Sequence, residues 1–568
     1  MQNRWTTLTA DENVVKQLQA ELKIHPVLCK LLVQRGITDY DAAKKFFRPA
    51  FSDLHDPFLM NDMHKAVDAI GAAIAANEHI MIYGDYDVDG TTSVALMYGF
   101  LKHFYDNISF YIPCRYKEGY GVSMLGIEEA AARNAKLIIA LDCGITAIDQ
   151  VKRATELGMG FIICDHHKPS DTLPEATAIL NPKRADNTYP FDELSGCGIG
   201  FKLAQAFTIQ NQTDEEWLMN QLDLVAVSIA SDLVPVTGEN RTLAFFGLKK
   251  INESPRIGIR TLMDMTGIKG DVTINTLVFV IGPRINAAGR IEHGNDAVRL
   301  LIAATADEAY SAANVLHQHN TERKDFDKNI TEEALKMLDE NPALQQKKST
   351  VLVSENWHKG VIGIVASRLM ANYYRPTIIL AQSGEVMTGS VRSVKDFDVY
   401  EALKKCSDLL IKFGGHKYAA GVSLEAAKYD AFCERFEKVV SESILPEQLI
   451  PEVTIDAELE LEDISPTFFK IVEQFGPFGP GNMTPHFKTS DLSDTGRTRL
   501  LSEKHLKINL TKNNLSPVNG IGFDMKPLYD IVKANSKVDV VYSLVENDWQ
   551  GIKSIEWRIR DVKPSDLN

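Results

Sequence analysis

The sequence has few cysteines, and their arrangement fits neither a disulfide framework nor a zinc site. Its 568 residues include seven cysteines, which are scattered and never form a C-x-x-C pair. Dispersed cysteines in odd number disfavour both structures.

Long apolar runs are also missing. No run approaches the roughly 20 residues that a transmembrane helix needs. Residues 1–21 carry Asp11, Glu12 and Glu21 and contain no apolar core of a signal peptide. We therefore expect a cytoplasmic protein with no membrane partner.

The chain lacks the basic excess that is typical of nucleic-acid-binding proteins. Its net charge is −15, from 61 Lys and Arg against 76 Asp and Glu. Cationic side chains supply much of the affinity for DNA, so composition leans slightly against a nucleic-acid ligand. An acidic protein can still bind DNA if its basic groups line one groove, so the motifs must decide.

Length and composition indicate a globular protein of several domains. Hydrophobic residues make up 45% of the chain and charged residues 24%, and a single core stops growing near roughly 250–300 residues. Residues 1–61 are predicted to be a peripheral helical extension, because VVKQLQAEL and YDAAKKFF have helical apolar spacing. Pro26, Gly36 and Pro49 are expected to interrupt it.

Residues 62–304 are predicted to form an α/β catalytic domain around a parallel sheet. The short apolar runs HIMIYG, AKLIIALD and MGFIICD alternate with helical patterns. This order is typical of parallel strands that helices cover on both faces. Ligands of such sheets bind at the carboxyl ends of the strands.

The remainder of the chain is predicted to hold a connecting helix and two further domains. Residues 305–345 form the helix, since residues 305–339 contain no Gly or Pro and Pro342 is expected to close it. Residues 346–449 are a smaller α/β domain, with strands TVLVS, PTIILAQ and VMTGSVRS and helices VIGIVASRLMAN and YEALKKCSDLLIKF. Residues 450–568 alternate apolar and polar residues in HLKINL and KSIEWRIRDV, which predicts a small β-barrel.

Acidic residues follow each apolar run of the first α/β domain. A fourth apolar segment, LVAVSIAS, ends in the same way. The residues concerned are Asp85, Asp87, Asp89, Asp142, Asp165 with His166 and His167, and Asp232. Because the carboxyl ends of parallel strands share one edge, we expect these groups to converge.

Converging carboxylates repel one another unless a cation neutralises them. Carboxylate and imidazole ligands favour Mn²⁺ or Mg²⁺, and five or six of them exceed the needs of one tetrahedral zinc. Two cations that share a bridging carboxylate would use the whole set and would suit phosphoester hydrolysis. An EF-hand loop is excluded, because the twelfth residue from Asp85 is Leu96 and not Glu. Asp232 alone could be a turn residue near Pro235.

The motifs resemble a known family. DYDVDG, LDCG, DHH and SIASDLVP, in this order, resemble the DHH phosphoesterase superfamily. GSVRS and FGGHKYAAG resemble its DHH-associated (DHHA1) domain. PCRYKEGYG, GPRINAAGR, WHKGVIGIVASRL and FGPFGPGNMTPHF narrow the resemblance to members that degrade single-stranded DNA. The part after Pro451 resembles their oligonucleotide-binding (OB) fold, so the resemblance covers almost the whole chain.

The resemblance implies roles for the acidic residues and the histidines. The implied metal ligands are Asp87, Asp89, Asp142, His166 and Asp232, with Asp142 bridging two cations, Mn²⁺ or Mg²⁺. Asp85 and Asp165 would be further ligands or would orient the ligands. His167 would be an acid or an electrostatic helper that faces the phosphate.

Glycine, serine and arginine in the second α/β unit suggest a phosphate-binding site. Arg392 in GSVRS can bind a terminal phosphate through two hydrogen bonds. Backbone N–H groups of glycine and the imidazole of histidine can add donors. The candidate residues are Ser390, Arg392, Gly414, Gly415 and His416, to which the resemblance adds Arg115, Arg284, Asn286 and Arg290. For Arg299 a solvated helix face is the better interpretation.

The predicted barrel contains the densest local group of basic residues. They are Arg497, Arg499, Lys504, His505, Lys507 and Lys512. Such a stretch could follow a DNA backbone. A solvated surface is an equally good interpretation.

The function that the resemblance implies is 5′-to-3′ exonuclease activity on single-stranded DNA, with release of 5′-mononucleotides, in recombination and repair. It also implies a single-strand-binding protein and a RecQ-like helicase as partners. A monomer is the default expectation. One alternative is a DHH phosphodiesterase for small molecules or short oligonucleotides, which would not need the β-domain. A second is a non-catalytic DNA-binding scaffold, which is disfavoured because every expected acid is present.

Overall fold

The computed structural model describes residues 3–513 and 515–565, and the chain divides into two compact units. One unit comprises Trp5–Gly289, His293–Asn314 and Val453–Asn568. The other comprises Val315–Glu452 with the short segments Met1–Arg4 and Arg290–Glu292. The predicted domain boundaries stay predictions. Within the described residues, no helix has both the length and the apolar character needed to cross a bilayer.

The N-terminal segment is helical, as predicted. Its elements are β1 (Arg4–Thr7), α1 (Glu12–Leu22), α2 (Pro26–Gln34) and α3 (Tyr40–Phe47). Pro26 begins α2 and does not interrupt a helix, because proline fits the first helical position. The prediction that this segment is peripheral is wrong. Leu18, Leu28 and Leu32 are buried in one core with Phe475 and Phe487 of the C-terminal part, a long-range contact that local periodicity cannot reveal.

A five-stranded parallel sheet follows, in the order β3-β2-β4-β5-β6. Its strands and helices are α4 (Met63–Ala75), β2 (His79–Gly84), α5 (Val88–Lys102), β3 (Ile108–Tyr111), α6 (Met124–Ala132), β4 (Ala135–Leu141), α7 (Ile148–Glu156), β5 (Gly160–Cys164) and β6 (Ala178–Leu180). The three predicted strands are confirmed as the central β2, β4 and β5. The flanking β3 and β6 were not predicted, because they are too short to show a pattern.

Helices make up the rest of this region. They are α8 (Gly196–Asn211), α9 (Glu215–Met219), α10 (Leu222–Ser231), α11 (Gly238–Glu253), α12 (Ile257–Thr266), α13 (Ile274–Thr276), the π-helical turn Leu277–Ile281, α14 (Gly282–Ile291) and α15 (Asn295–Ile302). The segment LVAVSIAS was grouped with the strands, but it forms α10. Every residue of Leu222–Ala230 is buried, so the helix has no polar face to reveal its period.

The second unit contains a five-stranded sheet of order β10-β11-β9-β8-β7, in which only β7 and β8 pair in parallel. The elements along this stretch are α16 (Ala306–Asp339), α17 (Pro342–Gln345), β7 (Thr350–Ser354), α18 (Ile362–Tyr373), β8 (Thr377–Ser383), β9 (Val386–Arg392), α19 (Val399–Lys404), β10 (Lys412–His416), β11 (Ala419–Glu425) and α20 (Tyr429–Ser443). The long helix is confirmed, although it ends at Asp339 and Pro342 starts α17. The predicted helix YEALKKCSDLLIKF is too long, since its end belongs to β10.

The C-terminal part forms a β-barrel, as predicted. Its elements are β12 (Glu452–Ile455), β13 (Ala457–Glu458), α21 (Pro466–Gln474), β14 (Phe487–Asp494), β15 (Arg499–Leu501), β16 (His505–Thr511), β17 (Val518–Gly522), α22 (Lys526–Ala534), β18 (Val538–Trp549) and β19 (Ile552–Pro564). The pairings run β14-β18-β19-β17-β16, and β16 pairs again with β14, which closes the ring. Tyr542 and Trp557 stack in its core with ring centroids 3.6 Å apart.

Candidate metal centre

The carboxyl ends of the three central strands bring the acidic residues together. Asp85 follows β2, Asp142 follows β4 and Asp165 follows β5. The ladder continues one residue beyond β4, because the backbone N–H of Asp142 donates to the carbonyl of Cys164 at 2.8 Å. Asp142 then takes a left-handed backbone conformation (φ 60°), which ends the strand at the edge of the sheet.

His166 lies at the centre of a cluster of carboxylates. Its Nε2 atom is 3.2 Å from Asp142 Oδ1, 3.5 Å from Asp232 Oδ2 and 3.7 Å from Asp89 Oδ2. Asp232 follows the end of α10 and still reaches this point, although its segment is not a strand. Asp87 caps α5 by accepting from the backbone N–H of Gly90 at 3.0 Å, and its side chain also contacts Asp142. Sequence-predicted ligands therefore converge on one small volume.

Crowding of like charges changes the acidity of these groups. Burial and the charges of Asp89 and Asp87 raise the pKa of Asp142 well above its usual range. The same causes raise the pKa of Asp232 to about 8. Burial lowers the pKa of His166, so its imidazole is neutral and can act as a ligand. Carboxylates that repel one another in this way are stabilised by a bound cation.

Several buried atoms of the cluster lack a hydrogen-bond partner among the described residues, as expected of atoms that bind a cation. Within the described part of the chain, Asp85 Oδ2, Asp142 Oδ1 and His166 Nε2 form no hydrogen bond. Buried polar atoms without partners are rare, and each needs an explanation. Oxygen and imidazole donors suit Mn²⁺ and Mg²⁺, so the residues present fit divalent cations.

Asp89 is held in place by the first turn of α8. Its oxygens accept from the backbone N–H groups of Gly196 (2.7 Å) and Cys197 (2.8 Å) and from Ser228 Oγ (2.7 Å). The sequence motifs did not single out these partners. The run Ser195-Gly-Cys-Gly, a helix cap followed by glycines, is a signal that could have found them.

His167 is positioned by two neighbours. Its Nδ1 atom is 2.7 Å from Asp165 Oδ1, and its Nε2 atom is 2.9 Å from the hydroxyl of Tyr120. Burial lowers the pKa of His167, but the hydrogen bond to Asp165 and the negative charges of Asp165, Asp232 and Asp87 together raise the pKa to about 9. The other oxygen of Asp165 accepts from the backbone N–H of Ile145, so Asp165 orients His167. Tyr120 lies within the motif PCRYKEGYG but was not predicted as a site residue.

One carboxylate oxygen of Asp85 forms a hydrogen bond within the protein, and the other, Oδ2, forms none among the described residues. Its Oδ1 atom accepts from the backbone N–H of Gly121 at 3.2 Å. Burial and the charge of Asp87 raise the pKa of Asp85 well above its usual range. This geometry is compatible with both predicted roles, a ligand or an orienting group.

Helix α14 runs beside the metal cluster. A Cβ atom at Gly282 would lie 2.7 Å from Ser231 Oγ, directly before Asp232, and one at Gly289 would lie 2.4 Å from the carbonyl oxygen of Tyr86. Both glycines therefore allow close packing. The helix carries three predicted DNA contacts, which are Arg284, Asn286 and Arg290.

The predicted arginines near this helix already have contacts within the protein. Arg115 lies over the ring of Tyr86 at 5.1 Å. Arg284 donates from Nη1 to the carbonyl of Val280 at 2.6 Å. Arg290 donates to the carbonyl of Gly360 at 3.1 Å.

The sheet of the second unit aligns four of its five predicted phosphate ligands. Gly414, Gly421 and Ser390 are neighbours across β10, β11 and β9, and His416, Ala419 and Arg392 are neighbours one step further along. Side chains two residues apart in a strand share a face. Ser390, Arg392, Gly414 and His416 therefore lie on one face, which we call the phosphate face. On the intervening strand β11, only Gly421 and Ala419 lie between these residues of β10 and β9.

The start of α18 borders the phosphate face. A Cβ atom at Gly363 would lie 3.1 Å from Arg392 Nη2 and 3.2 Å from Ser390 Oγ. Burial lowers the pKa of Arg392, and no carboxylate of the described residues forms an ion pair with it. Gly415 alternates to the other face and has a φ of 140°, and a Cβ atom there would lie 2.4 Å from the carbonyl oxygen of Ala419. Gly414 and Gly415 lie within β10 and are not part of a turn.

The predicted basic stretch of the barrel is largely neutralised by acids. Lys507 pairs with Glu556, Lys512 with Glu460, and Lys504 with Asp524. His505 also faces Asp524 at 3.7 Å. A solvated surface therefore explains most of this stretch.

Models of three protein families match the chain. They are the DHH family N-terminal domain (residues 79–229), the DHHA1 domain (residues 346–442) and the RecJ OB domain (residues 455–561). They occur in the order that the sequence motifs predicted.

Curated relatives extend over nearly the full length. The single-stranded-DNA-specific exonuclease RecJ of Bacillus subtilis is 36% identical, with 99% of this chain and 71% of that protein covered. The RecJ protein of Salmonella typhimurium is 33% identical, with 98% of both chains covered.

Two solved structures have the same architecture. RecJ of Thermus thermophilus in complex with Mn²⁺ gives a TM-score of 0.85 at 28% identity and covers 99% of this chain and 80% of that chain. The complex with Mg²⁺ gives 0.79 at 26% identity and covers 99% and 79%.

Proposed function

Because the chain belongs to the RecJ family of single-stranded-DNA-specific exonucleases, we propose that it removes nucleotides one at a time from the 5′ end of single-stranded DNA. The observation that carries this proposal is the meeting of Asp89, Asp142 and Asp232 at His166. Its cofactors are two divalent cations, Mn²⁺ or Mg²⁺, the ions present in the solved relatives.

The chain's own residues hold the reacting groups in place. We assign Asp87, Asp89, Asp142, His166 and Asp232 to the cations. Bound cations would supply positive charge to the phosphate oxygens and lower the pKa of a water molecule. Fixed ligands lower the cost of organising this charge during the reaction.

We assign His167 the role of a proton donor beside the scissile phosphate. Asp165 and Tyr120 fix both of its ring nitrogens, and its raised pKa favours the protonated ring at neutral pH. Asp165 acts through His167 and is a positioning residue.

Bond cleavage on the 3′ side of the first nucleotide explains the products and the direction. Water adds its oxygen to the phosphorus, the P–O3′ bond breaks, and the leaving O3′ takes a proton. The first nucleotide leaves as a 5′-mononucleotide, and the shortened strand keeps a new 5′-phosphate. The phosphate face, with Ser390, Arg392, Gly414 and His416, would bind that 5′-phosphate in each cycle.

The two alternative functions are disfavoured. A phosphodiesterase for small molecules needs no OB domain, whereas this chain matches the RecJ OB domain at residues 455–561. A non-catalytic scaffold needs no metal site, whereas the acids converge here with unsatisfied ligand atoms. Single-stranded DNA is therefore the preferred ligand. A single-strand-binding protein and a RecQ-like helicase as partners, a monomeric state, a cytoplasmic location and a role in repair stay predictions.

Cleavage of an end-labelled oligonucleotide tests the proposal. The purified protein with Mn²⁺ should shorten a 5′-phosphorylated, 3′-labelled single strand stepwise from its 5′ end. It should release 5′-mononucleotides and leave a blunt duplex largely intact. The Asp142→Asn variant should be inactive, because one ligand at the centre of the cluster is lost.

Asp149→Asn is the matched control, since this exposed acid on α7 lies outside the cluster. It should retain wild-type activity. A wild-type protein that binds Mn²⁺ but leaves the strand intact would contradict the proposal. Hydrolysis of dinucleotides alone would instead favour the small-substrate alternative.

A further inference from the structure

Phe279 is an apolar side chain that the fold leaves in solvent. It is 73% exposed, whereas the neighbouring Leu277 and Ile281 are buried. Phenylalanine is usually buried, so an exposed ring requires an explanation when it lies near a functional site. None of the roles assigned above uses it.

Phe279 belongs to the only π-helical turn in the described residues, Leu277–Ile281. π-Helical turns are rare and occur frequently at functional sites. This turn leads directly into α14, and Gly282 packs against Ser231 beside the metal ligand Asp232. Phe279 precedes Gly282 by three residues, or roughly 5 Å along a helix axis. The backbone of Phe279 therefore lies about one helical turn from the glycine that packs beside Asp232.

Two further side chains are relevant, one that contacts this turn and one that follows Asp232 in the chain. Arg284 is tied back onto the π-helical turn by its hydrogen bond to the carbonyl of Val280, the residue that follows Phe279. Leu233, which follows Asp232, is 55% exposed and has a φ of 58°. Left-handed backbone is unfavourable for leucine, so the fold holds this apolar side chain at the surface.

We propose that Phe279 stacks on a nucleobase of the single-stranded substrate near the scissile phosphate. Proteins that bind single strands combine cationic groups along the backbone with exposed aromatic rings for the bases. Here Arg284 supplies the cation and Phe279 the ring, and they lie on either side of the junction between the π-helical turn and α14. A duplex keeps its bases stacked on one another, so the ring also favours a single strand. This proposal rests on the exonuclease function proposed above.

A scan with abasic substrates tests the proposal. A set of 5′-phosphorylated strands carries one abasic site at each of the first five positions in turn, and kcat/KM is measured with Mn²⁺. The wild type should lose roughly 5- to 100-fold at the position whose base meets the ring, as expected for one lost stacking contact. Phe279→Ala should be slower by a similar factor on intact DNA and should no longer be sensitive to that position.

Three variants separate stacking from other effects. Phe279→Tyr should keep the wild-type profile, because its ring can stack. Phe279→Leu should behave like Phe279→Ala, because it is apolar but not aromatic. Phe245→Ala is the matched control, an exposed phenylalanine on α11, and should keep the wild-type profile.

An abasic profile of Phe279→Ala identical to that of the wild type overturns the stacking role. Equal losses in Phe279→Tyr and Phe279→Ala overturn it too. Failure of the exonuclease function is a separate result, since the wild type would then degrade none of the strands.

Discussion

At the scale of single residues, Gly196 packs directly against Asp142 of the metal cluster. A Cβ atom at position 196 would lie 2.6 Å from Asp142 Cβ and 2.8 Å from its Oδ1 atom. Real Cβ atoms do not approach other atoms so closely, so an added methyl group must displace the carboxylate. Only glycine lets the first turn of α8 hold Asp89 while touching Asp142.

Gly196→Ala should therefore damage the metal site without unfolding the protein. Displacement of a ligand should weaken Mn²⁺ binding and lower activity by at least about tenfold, comparable to the loss of a group that orients a ligand. Titration calorimetry with Mn²⁺ measures this effect. Gly71→Ala on α4, where nothing lies within 4 Å of the added Cβ, should bind Mn²⁺ normally. Normal Mn²⁺ affinity in Gly196→Ala would show that the cluster tolerates the shift.

A second prediction at this scale concerns the orientation of His167 by Asp165. Asp165→Asn replaces the charged acceptor of His167 Nδ1 and should lower kcat roughly 10- to 100-fold. KM for DNA should change little, because Asp165 is buried and its oxygens are used within the protein. Steady-state kinetics at saturating Mn²⁺ separate the two parameters. Asp171→Asn, on an exposed loop after β5, is the control. A rise in KM with unchanged kcat would contradict the positioning role.

At the scale of elements, the sequence predicted the features that local patterns encode. Central strands β2, β4 and β5 were evident as apolar runs that end in acids, and the edge they share was evident from the parallel order. Helix α10 was not evident as a helix, because Asp223 is the only charged residue in a segment buried on all sides. Asp232 was still predicted to converge with the other acids, and it does reach His166, since its position at the end of the segment does not depend on the type of element.

Contacts between distant elements were not predictable in the same way. Asp89 and its partners Gly196, Cys197 and Ser228 are more than 100 residues apart. The pairing of β16 with β14 that closes the barrel also depends on register, which a strand pattern alone does not give. The ion pairs of Lys507 and Lys512 required the opposite strands and loops to be known.

A buried ion pair joins α8 to α11 and to the segment before α4. Lys202 and Glu239 are 3.1 Å apart with side chains 0% and 1% exposed, and Lys202 also donates to the carbonyl of His55 at 2.6 Å. The hydroxyl of Tyr189 donates to the second oxygen of Glu239. Burial lowers the pKa of Lys202, so its charge depends on this partner.

Lys202→Met should destabilise the protein by about 3–5 kcal/mol, because it leaves the carboxylate of Glu239 buried without a cation. Thermal unfolding followed by circular dichroism measures the loss as a fall in Tm. Lys202→Met with Glu239→Gln should recover part of it, since the buried charge is removed. Lys249→Met, from an exposed pair with Glu253 at 3.9 Å, should change the stability by less than about 1 kcal/mol. Equal effects of the two lysine substitutions would argue against the buried pair.

At the scale of the whole molecule, a net charge of −15 has to be reconciled with a DNA substrate. Part of this charge is the metal cluster itself, which bound cations offset. Much of the rest is compensated locally, as Lys507 and Lys512 show. Basic residues that lack such partners are the ones that can contact phosphates. On the barrel, Arg558 lies over the ring of Phe523 at 4.4 Å, and among the described residues no carboxylate forms an ion pair with it.

The contrast between Arg558, which forms no ion pair among the described residues, and the paired Lys507 predicts which barrel residue contributes to DNA binding. Arg558 and the 45% exposed Phe523 combine a cation with an aromatic ring, as surfaces for single strands do. Arg558→Gln should weaken binding of a long single strand and reduce the slope of log K against log salt by about 0.7, the value for one phosphate contact. Lys507→Gln should change both much less, because Glu556 already neutralises that lysine. Fluorescence anisotropy in EDTA, where cleavage is prevented, measures both quantities. If the two variants lose the same affinity and slope, local ion pairs do not determine where this acidic protein contacts DNA, and the basic stretch predicted from the sequence becomes the better candidate.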